Sequence, residues 1–359
     1  MRSRRGGVVM GRKIVVVGAG AIGGYAGGHL TRAGHDVTFI DPWPEHVEYM
    51  RAHGLQLSGL TPEETHSIPV KALHLCEVQG LIKDRPIDIA FMCMKSYDTE
   101  WATHMIRPWL APDGFVVSLQ NCINEERIAG IVGWGKTVGC IASLVAAELY
   151  APGHIKRTVP IGGEQHIVFR VGEVHGRVTK RAQEVAEMLR AADSSKVTTN
   201  LWGERWSKLV VNSMRNGLSA ATGLNGNARD TAEGPRWLSI RLGSEAVRVG
   251  QAHGFQLERM LGMEPETLAR AGEGNRDALA EIVDILLEAS KKRSDEQRPS
   301  MAQDIAKGRR TETDFINGYV YAKGEEIRVP AHTHAKMNDI VRKVERGALK
   351  ANPGNIAGL

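Results

Sequence analysis

Lys208, Asn212 and Asn216, spaced four residues apart, are the side chains in this sequence best suited to do chemistry together. They fall within residues 201–224, LWGERWSKLVVNSMRNGLSAATGL, where Trp206, Val210, Val211, Met214 and Leu218 recur at helical spacing and form one apolar arc. Four residues overshoot a helical turn by about 40°, so the lysine and the two asparagines make a slanting polar stripe away from that arc. A merely solvated stripe is ordinarily built from Glu, Lys, Gln or Ala. Asn is a poor interior helix former because its amide competes for nearby backbone groups. Two Asn in register with one Lys therefore read as facing something outside the helix. The chemistry they suit is an ammonium proton donor flanked by amides that orient a small polar substrate.

A second constellation lies near the start of the chain. Residues 13–18, KIVVVG, read as a buried strand, and Gly18-Ala19-Gly20-Ala21-Ile22-Gly23 follows at once and leads into a helix reaching Arg32. In that context the three glycines have separate tasks. Gly18 permits a tight turn, Gly20 lets the backbone approach a pyrophosphate, and Gly23 lets helix and strand pack closely. The helix N-terminus then offers unpaired N–H groups and a positive dipole end to phosphates. The next strand, residues 36–40, ends at Asp41. A carboxylate there accepts hydrogen bonds from both ribose hydroxyls and repels a 2′-phosphate. The residues after it are Pro42, Trp43 and Pro44, with no Arg, so NAD(H) is expected in preference to NADP(H). The alternative is that Asp41 only caps the next helix.

Two further strands end in polar residues. Residues 87–94, IDIAFMCM, end at Lys95, and residues 115–119 end at Gln120-Asn121. Open α/β sheets bind ligands at the carboxyl ends of their strands, which puts Lys95 and Asn121 in the right region for cofactor and substrate. Other strands are expected at 68–74 and 138–144, a turn at 151–153, a strand-rich ribbon over 155–171 and a helix over 179–191. Residues 193–200 are polar and read as a turn and domain boundary. Beyond the 201–224 helix the chain reads as nearly all helix: 235–253, 265–271, 277–292, one opened by Ser300 as N-cap, 311–322 and 336–346. The expected organisation is a disordered extension over 1–11 (with Met10 an alternative start), an α/β dinucleotide-binding domain over 12–199, a helical domain over 200–350 and a frayed tail over 351–359.

Composition sets limits. A chain of 359 residues exceeds one comfortable core, so two domains are expected. The net charge of +5 is spread along the chain, and its densest runs are not interleaved with aromatics, so nucleic acid is not an expected partner. The surplus suits an anionic cofactor and an anionic, carboxylate-bearing substrate. Cys76, Cys93, Cys122 and Cys140 show no metal-ligand spacing and no disulfide framework, which points to reduced thiols in the cytoplasm. His332 and His334 lack a third ligand nearby in sequence, and no metal is expected. No apolar run approaches membrane-spanning length.

Six stretches together resemble the ketopantoate reductase (2-dehydropantoate 2-reductase) family, from residue 13 to about 345. They are GAGAIGG at 18–24, FMCMKSYDTE at 91–100, SLQN at 118–121, WSKLVVNSMRN at 206–216, PSMAQDIAKGRRTETDFINGY at 299–319 and VP at 329–330. The resemblance implies an N-terminal Rossmann domain, an all-helical C-terminal domain, an active site in the cleft between them and a homodimer through the helical domain. It implies Lys208 as general acid, with Asn212 on its helix and Asn216 helping to hold the substrate. It implies Ser300 on the substrate carboxylate, Glu312 on the substrate hydroxyl beside Lys208, and Lys95 and Asn121 near the nicotinamide. Ser300 and Glu312 rest on the resemblance, since spacing alone makes them a cap and a surface residue. The implied reaction is hydride delivery to a ketone carbon, with Lys208 stabilising and protonating the oxygen.

Three departures bear on the substrate. After Asn121 the family usually has Gly; here the run is Asn121-Cys122-Ile123-Asn124, one residue short. Asp41 stands where NADP-using members usually carry a neutral residue followed by Arg. The segment between Gly226 and Ser300 is longer than usual, and Arg215 sits beside the catalytic stripe. The expected function is NAD(P)-dependent reduction of a 2-oxo acid, with ketopantoate the default. The alternative is an NAD-linked dehydrogenase of a bulkier secondary alcohol or hydroxy acid. A non-catalytic dinucleotide sensor ranks last because Lys208 and Glu312 are both present.

Overall fold

The computed structural model describes residues 11–163, 166–293, 295 and 298–359. The extension expected over 1–11 therefore lies outside the described residues except for Gly11. The chain divides into two compact units, Met1–Leu201 and Trp202–Leu359. The first is an α/β unit of Rossmann type and the second is helical, as the sequence led us to expect.

The first unit has strands β1 (Lys13–Val17), β2 (Asp36–Asp41), β3 (Leu55–Ser58), β4 (His66–Ile68), β5 (Lys71–His74), β6 (Ile87–Met92), β7 (Leu110–Ser118), β8 (Thr137–Ala142), β9 (Ala147–Ala151), β10 (His154–Arg157), β11 (Phe169–Glu173) and β12 (Ser195–Thr198). Its helices are α1 (Ala21–Arg32), α2 (Pro44–His53), α3 (Thr99–Ile106), α4 (Glu125–Val132) and α5 (Lys180–Leu189). Eight strands form one sheet in the order β12-β11-β8-β7-β6-β1-β2-β5. Pairing is parallel from β8 to β5, and β11 runs antiparallel to β8. From β1 the chain goes first to β2 on one side and later to β6 on the other. The strand order therefore reverses at β1, where sheets of this kind bind ligands.

β1 is buried along its whole length because both faces of the sheet are covered. Ile14 and Val16 join one apolar cluster with Phe39, Phe91 and Val117, while Val15 and Val17 join another with Ile40, Met92 and Val116. This strict alternation fixes register, since a one-residue slip would exchange the two faces.

Two expectations need correction here. The single strand expected over 68–74 is two strands: β4 pairs with β3 and β5 pairs with β2, in different sheets. Pro69 between them has no N–H to continue a ladder. Residues 193–200, expected as a turn, contain β12, the edge strand paired with β11. β4, β3, β10 and β9 form a separate four-stranded sheet that the sequence did not announce as one.

The helical unit consists of α6 (Leu201–Thr222), α7 (Gly226–Thr231), α8 (Glu233–Ala252), α9 (Pro265–Gly272), α10 (Arg276–Lys291), α11 (Ser300–Ala306), α12 (Asn317–Ile327) and α13 (His332–Glu345). Trp206, Val210, Met214 and Leu218 of α6 are completely buried. Two glycines of α8 receive two of them. A Cβ at Gly250 would come within 2.2 Å of the Trp206 ring, and one at Gly243 within 2.8 Å of the Met214 sulfur. The Trp206 Nε1–H donates to the Ala246 carbonyl between them at 2.8 Å, so the indole is buried with its polar atom satisfied. A second lock joins four helices. The Asn317 amide donates to the Ser213 carbonyl at 3.1 Å and to His334 Nδ1 at 3.1 Å, and His334 Nε2 donates to the Leu242 carbonyl at 2.8 Å.

The helix expected over 311–322 is broken. Thr311 donates its N–H and its hydroxyl to Glu345, the Thr313 hydroxyl donates to Asn338, and Asn338 donates to Asp314. These cross-links hold Thr313–Phe315 as a 3₁₀ turn, and Ile316 at φ −112°, ψ −85° separates it from α12. In place of a frayed tail, Pro353–Ile356 forms a further 3₁₀ turn. The Asn352 N–H and the Asn355 amide both donate to the Ala221 carbonyl near the end of α6, at 3.1 and 2.9 Å.

Candidate active site

In the α/β unit the site residues sit on three loops and at the end of β2, all at the carboxyl edge of the parallel strands. The first loop follows β1. Gly18 has φ +94°, a conformation open to glycine at little cost, and its N–H donates to the Ile40 carbonyl at 2.8 Å. A Cβ on Gly23 would lie 2.1 Å from the Gly18 carbonyl oxygen, whereas one on Gly20 would meet nothing within 4 Å. The bare side of Gly20 is thus a cradle with room for a phosphate. α1 starts at Ala21, with Ile22 and Gly23 completing its first N–H groups. No side chain caps it and its first turn has no acidic residue, so its positive end is not neutralised from within.

Ala19 between the glycines is held from both sides. Its N–H donates to Asp41 Oδ2 at 2.7 Å, and its carbonyl accepts from His46 Nε2 at 2.9 Å. His46 Nδ1 accepts the Gly153 N–H at 2.8 Å, which fixes the ring proton on Nε2. Asp41 Oδ1 accepts the Trp43 N–H at 2.9 Å, and the residue is 7% exposed. Asp41 therefore ties down the glycine turn and the approach to α2, whose N-cap position is Trp43. A carboxylate offers about four acceptor sites, so this structural task does not by itself exclude a ribose.

The second and third loops follow β6 and β7. Lys95, half-buried, precedes the 3₁₀ turn Ser96–Asp98, and Asn121, also half-buried, follows Gln120. A polar network fastens these loops to each other. Gln120 Nε2 donates to the Met94 carbonyl at 2.8 Å and to the Thr99 hydroxyl at 2.9 Å. Asn124 Nδ2 donates to the Asn121 carbonyl at 2.8 Å and to the Ser96 hydroxyl at 3.3 Å. Arg127 donates to the Ser96 carbonyl at 2.7 Å and to Asn124 Oδ1. His46, Gln120 (beyond its place at a strand end), Asn124 and Arg127 were not singled out in the sequence as positioning residues, because their partners are distant in the chain.

Cys122, next to Asn121, has φ +65° and is buried. The resemblance implied glycine here. A left-handed conformation at a residue with a Cβ costs about 1–2 kcal/mol, and the network on either side is what holds it.

In the helical unit Lys208, Asn212 and Asn216 share α6, with Lys208 and Asn212 half-buried and Asn216 buried. The stripe is therefore not the solvated face of a surface helix. Glu312 is 4% exposed, so it is not the surface residue its spacing suggested. It stands just before the 3₁₀ turn Thr313–Phe315, and its side chain makes no capping bond. Ser300 is the first residue of α11, half-buried, with Pro299 rather than Ser300 at the N-cap position. Among the described residues no group of three or more His, Cys, Asp or Glu could hold a metal ion, and the four cysteines form no disulfide. No helix of the described residues is long and apolar enough to cross a membrane.

Comparison with known proteins agrees with this fold. Residues 14–169 match the family model described as ketopantoate reductase PanE/ApbA, and residues 200–345 match the model of its C-terminal domain. The chain is 29% identical to the 2-dehydropantoate 2-reductase of Archaeoglobus fulgidus over 344 residues, covering 94% of this chain and 99% of the relative. A crystal structure of a PanE/ApbA family ketopantoate reductase from Ralstonia eutropha superimposes with a TM-score of 0.75 at 27% identity, covering 93% of this chain and 99% of that one. A ternary structure of D-mandelate dehydrogenase with NADH and anilino(oxo)acetate has a TM-score of 0.76 at 22% identity, covering 93% and 98%, a likeness of fold. The chain belongs to the ketopantoate reductase (PanE/ApbA) family, and with it to the NAD(P)-binding oxidoreductases that act on 2-oxo and 2-hydroxy acids.

Proposed function

We propose that this protein reduces the ketone of a 2-oxo acid with NADH, Lys208 serving as the general acid, and that 2-dehydropantoate is the default substrate. The observation that carries the reading is the stripe on α6. A lysine and two asparagines, two of them half-buried and Asn216 buried, line up on one helix, inside a family whose curated relatives include 2-dehydropantoate 2-reductases.

Gly18, Gly20, Gly23 and the N–H groups of Ala21 and Ile22 fit a pyrophosphate, and Asp41, Lys95 and Asn121 are assigned to the ribose and nicotinamide ends. When bound, the dinucleotide supplies a hydride. Lys208 holds a proton where negative charge develops on the substrate oxygen and gives it up there, which is worth about 10²–10⁴-fold in rate for a positioned acid. Asn212 and Asn216 orient the substrate by their amides. Ser300 is assigned to its carboxylate, and Glu312 to its hydroxyl and to keeping Lys208 charged.

Asp41 favours a second reading, an NAD-linked dehydrogenase running the same chemistry as oxidation of a bulkier hydroxy acid. The likeness of fold to D-mandelate dehydrogenase, solved with NADH, supports this reading. NADH oxidation with a series of 2-oxo acids, beside NAD reduction with the matching hydroxy acids, separates the two. Turnover of ketopantoate supports the first, turnover of aryl or branched substrates alone supports the second, and no turnover of either series refutes both. The reading includes a cytoplasmic homodimer, which light scattering and cell fractionation test.

A further inference from the structure

Arg215 has no task in the scheme above. It lies seven residues after Lys208, hence within about 20° of the same side of α6 and about 10 Å further along its axis. It is half-buried and makes no hydrogen bond or salt bridge to any described residue. Among the described residues, the charged groups acting on it are Arg229, Asp230 and Arg293. Asp230 is fully buried and already shared. Arg229 Nε and Nη2 donate to its two oxygens at 2.7 and 2.8 Å, and Arg293 Nη1 donates to Oδ2 at 2.9 Å.

Among the described residues one carboxylate thus serves a group of three guanidiniums, and about two positive charges stay uncompensated within it. Burying cations without partners is unfavourable, so the arrangement needs a reason. It is also built rather than incidental. The Arg293 head lies across Gly226, where an added Cβ would come within 2.6 Å of its Nη1. Behind it, Asn227 is held by the Arg293 carbonyl and the Asp295 carboxylate at 2.9 and 2.8 Å. Burial, and then the charge of Arg229, lowers Arg215 to about 9. It still carries its proton at neutral pH, in surroundings that an anion would relieve.

We infer that Arg215, backed by Arg229 and Arg293, binds a second anionic group of the substrate, a carboxylate or phosphate several bonds from the ketone, which makes a dicarboxylic or phosphorylated 2-oxo acid a better substrate than the default 2-dehydropantoate, whose only anionic group is its 1-carboxylate. A guanidinium fork matches either group. The inference rests on the proposed role of Lys208 for the position of the ketone, but the anion site stands or falls separately.

Two measurements keep these apart. The kinetic one compares 2-oxoadipate with 2-oxohexanoate, which differ only in the terminal carboxylate. The wild type is expected to prefer 2-oxoadipate at least 10-fold in kcat/KM. Arg215→Met should bring the ratio close to one, and Arg215→Lys should keep part of it. A wild-type ratio at or below one, or a ratio that Arg215→Met leaves alone, overturns the inference. The second measurement needs no turnover: calorimetric titration with glutarate and with inorganic phosphate. Saturable binding of either, weakened 10-fold or more by Arg215→Met with the melting temperature retained, supports the site and shows whether carboxylate or phosphate is preferred. Absence of binding to the wild type, or equal binding by both proteins, overturns it. Anion binding without turnover of any 2-oxo acid upholds the site and refutes the reductase reading instead.

Discussion

Replacing Asp41 by Asn separates two tasks of one carboxylate: the tie to the glycine turn that the structure shows and the proposed selection of NADH over NADPH. The side chain accepts the Ala19 N–H at 2.7 Å and the Trp43 N–H at 2.9 Å, one on each oxygen. Asn keeps the shape, but one of its two positions is an NH₂ that must face an N–H donor. One charge-assisted bond, worth about 1.5–3 kcal/mol, is lost outright and the other becomes neutral. A stability loss on the order of 2–3 kcal/mol follows, or several degrees in melting temperature for a unit of this size. The electrostatic task is independent of this. A carboxylate about 5 Å from one charge of a 2′-phosphate repels it by about 3 kcal/mol at an effective dielectric constant of about 20, which is on the order of 10²-fold in affinity. Fluorescence titration with NADH and NADPH reads the outcome. The wild type should favour NADH clearly, and Asp41→Asn should narrow the ratio 10-fold or more, partly by gaining NADPH affinity. A lowered melting temperature with an unchanged ratio would falsify the selectivity argument and leave Asp41 as a tie for the glycine turn alone.

Gly250→Ala drives a Cβ into the rigid Trp206 ring at 2.2 Å, whereas Gly243→Ala meets the flexible Met214 side chain at 2.8 Å; overpacking of about 1–3 kcal/mol should lower the melting point more for the first, and the reverse order would contradict the packing. Burial lowers His29 and His334 from 6.5 to about 4. The unfolded chain therefore binds more protons than the folded one between those values, so stability should fall as pH drops from about 6.5 to 4, by on the order of 3 kcal/mol for each imidazole. Urea unfolding across that window checks this, and flat stability would show that neither ring stays neutral. Arg127→Ala removes the bond to the Ser96 carbonyl and should both destabilise the chain by about 1–3 kcal/mol and weaken NADH binding; retention of both would mean that the network does not position Lys95 and Asn121.

What could be read in the sequence was what is encoded locally. β1, the glycine turn and the start of α1 are contiguous, and the α6 stripe needs only the helical repeat. β12 was hidden because Ser195, Lys196 and Thr198 give it a polar edge-strand composition, and its pairing partner β11 is some 25 residues away. The helix read over 311–322 follows local propensity, but Thr311, Thr313 and Asp314 bond to Glu345 and Asn338 on α13 instead. Asn124 and Arg127 were passed over for the same reason: nothing in their own neighbourhood announces Ser96. Asp41 shows the converse, since the two sequence readings of it, ribose ligand or helix cap, were posed as alternatives, while the structure adds a bond to Ala19 that neither anticipated.

In the proposed reaction Lys208 supplies the proton. The most direct measurement is NADH oxidation with ketopantoate, or with the best 2-oxo acid found, by the wild type and by Lys208→Ala, alongside NADH affinity. A fall in kcat of about 10²-fold or more is expected, with the NADH dissociation constant nearly unchanged. Turnover by Lys208→Ala close to that of the wild type would contradict it.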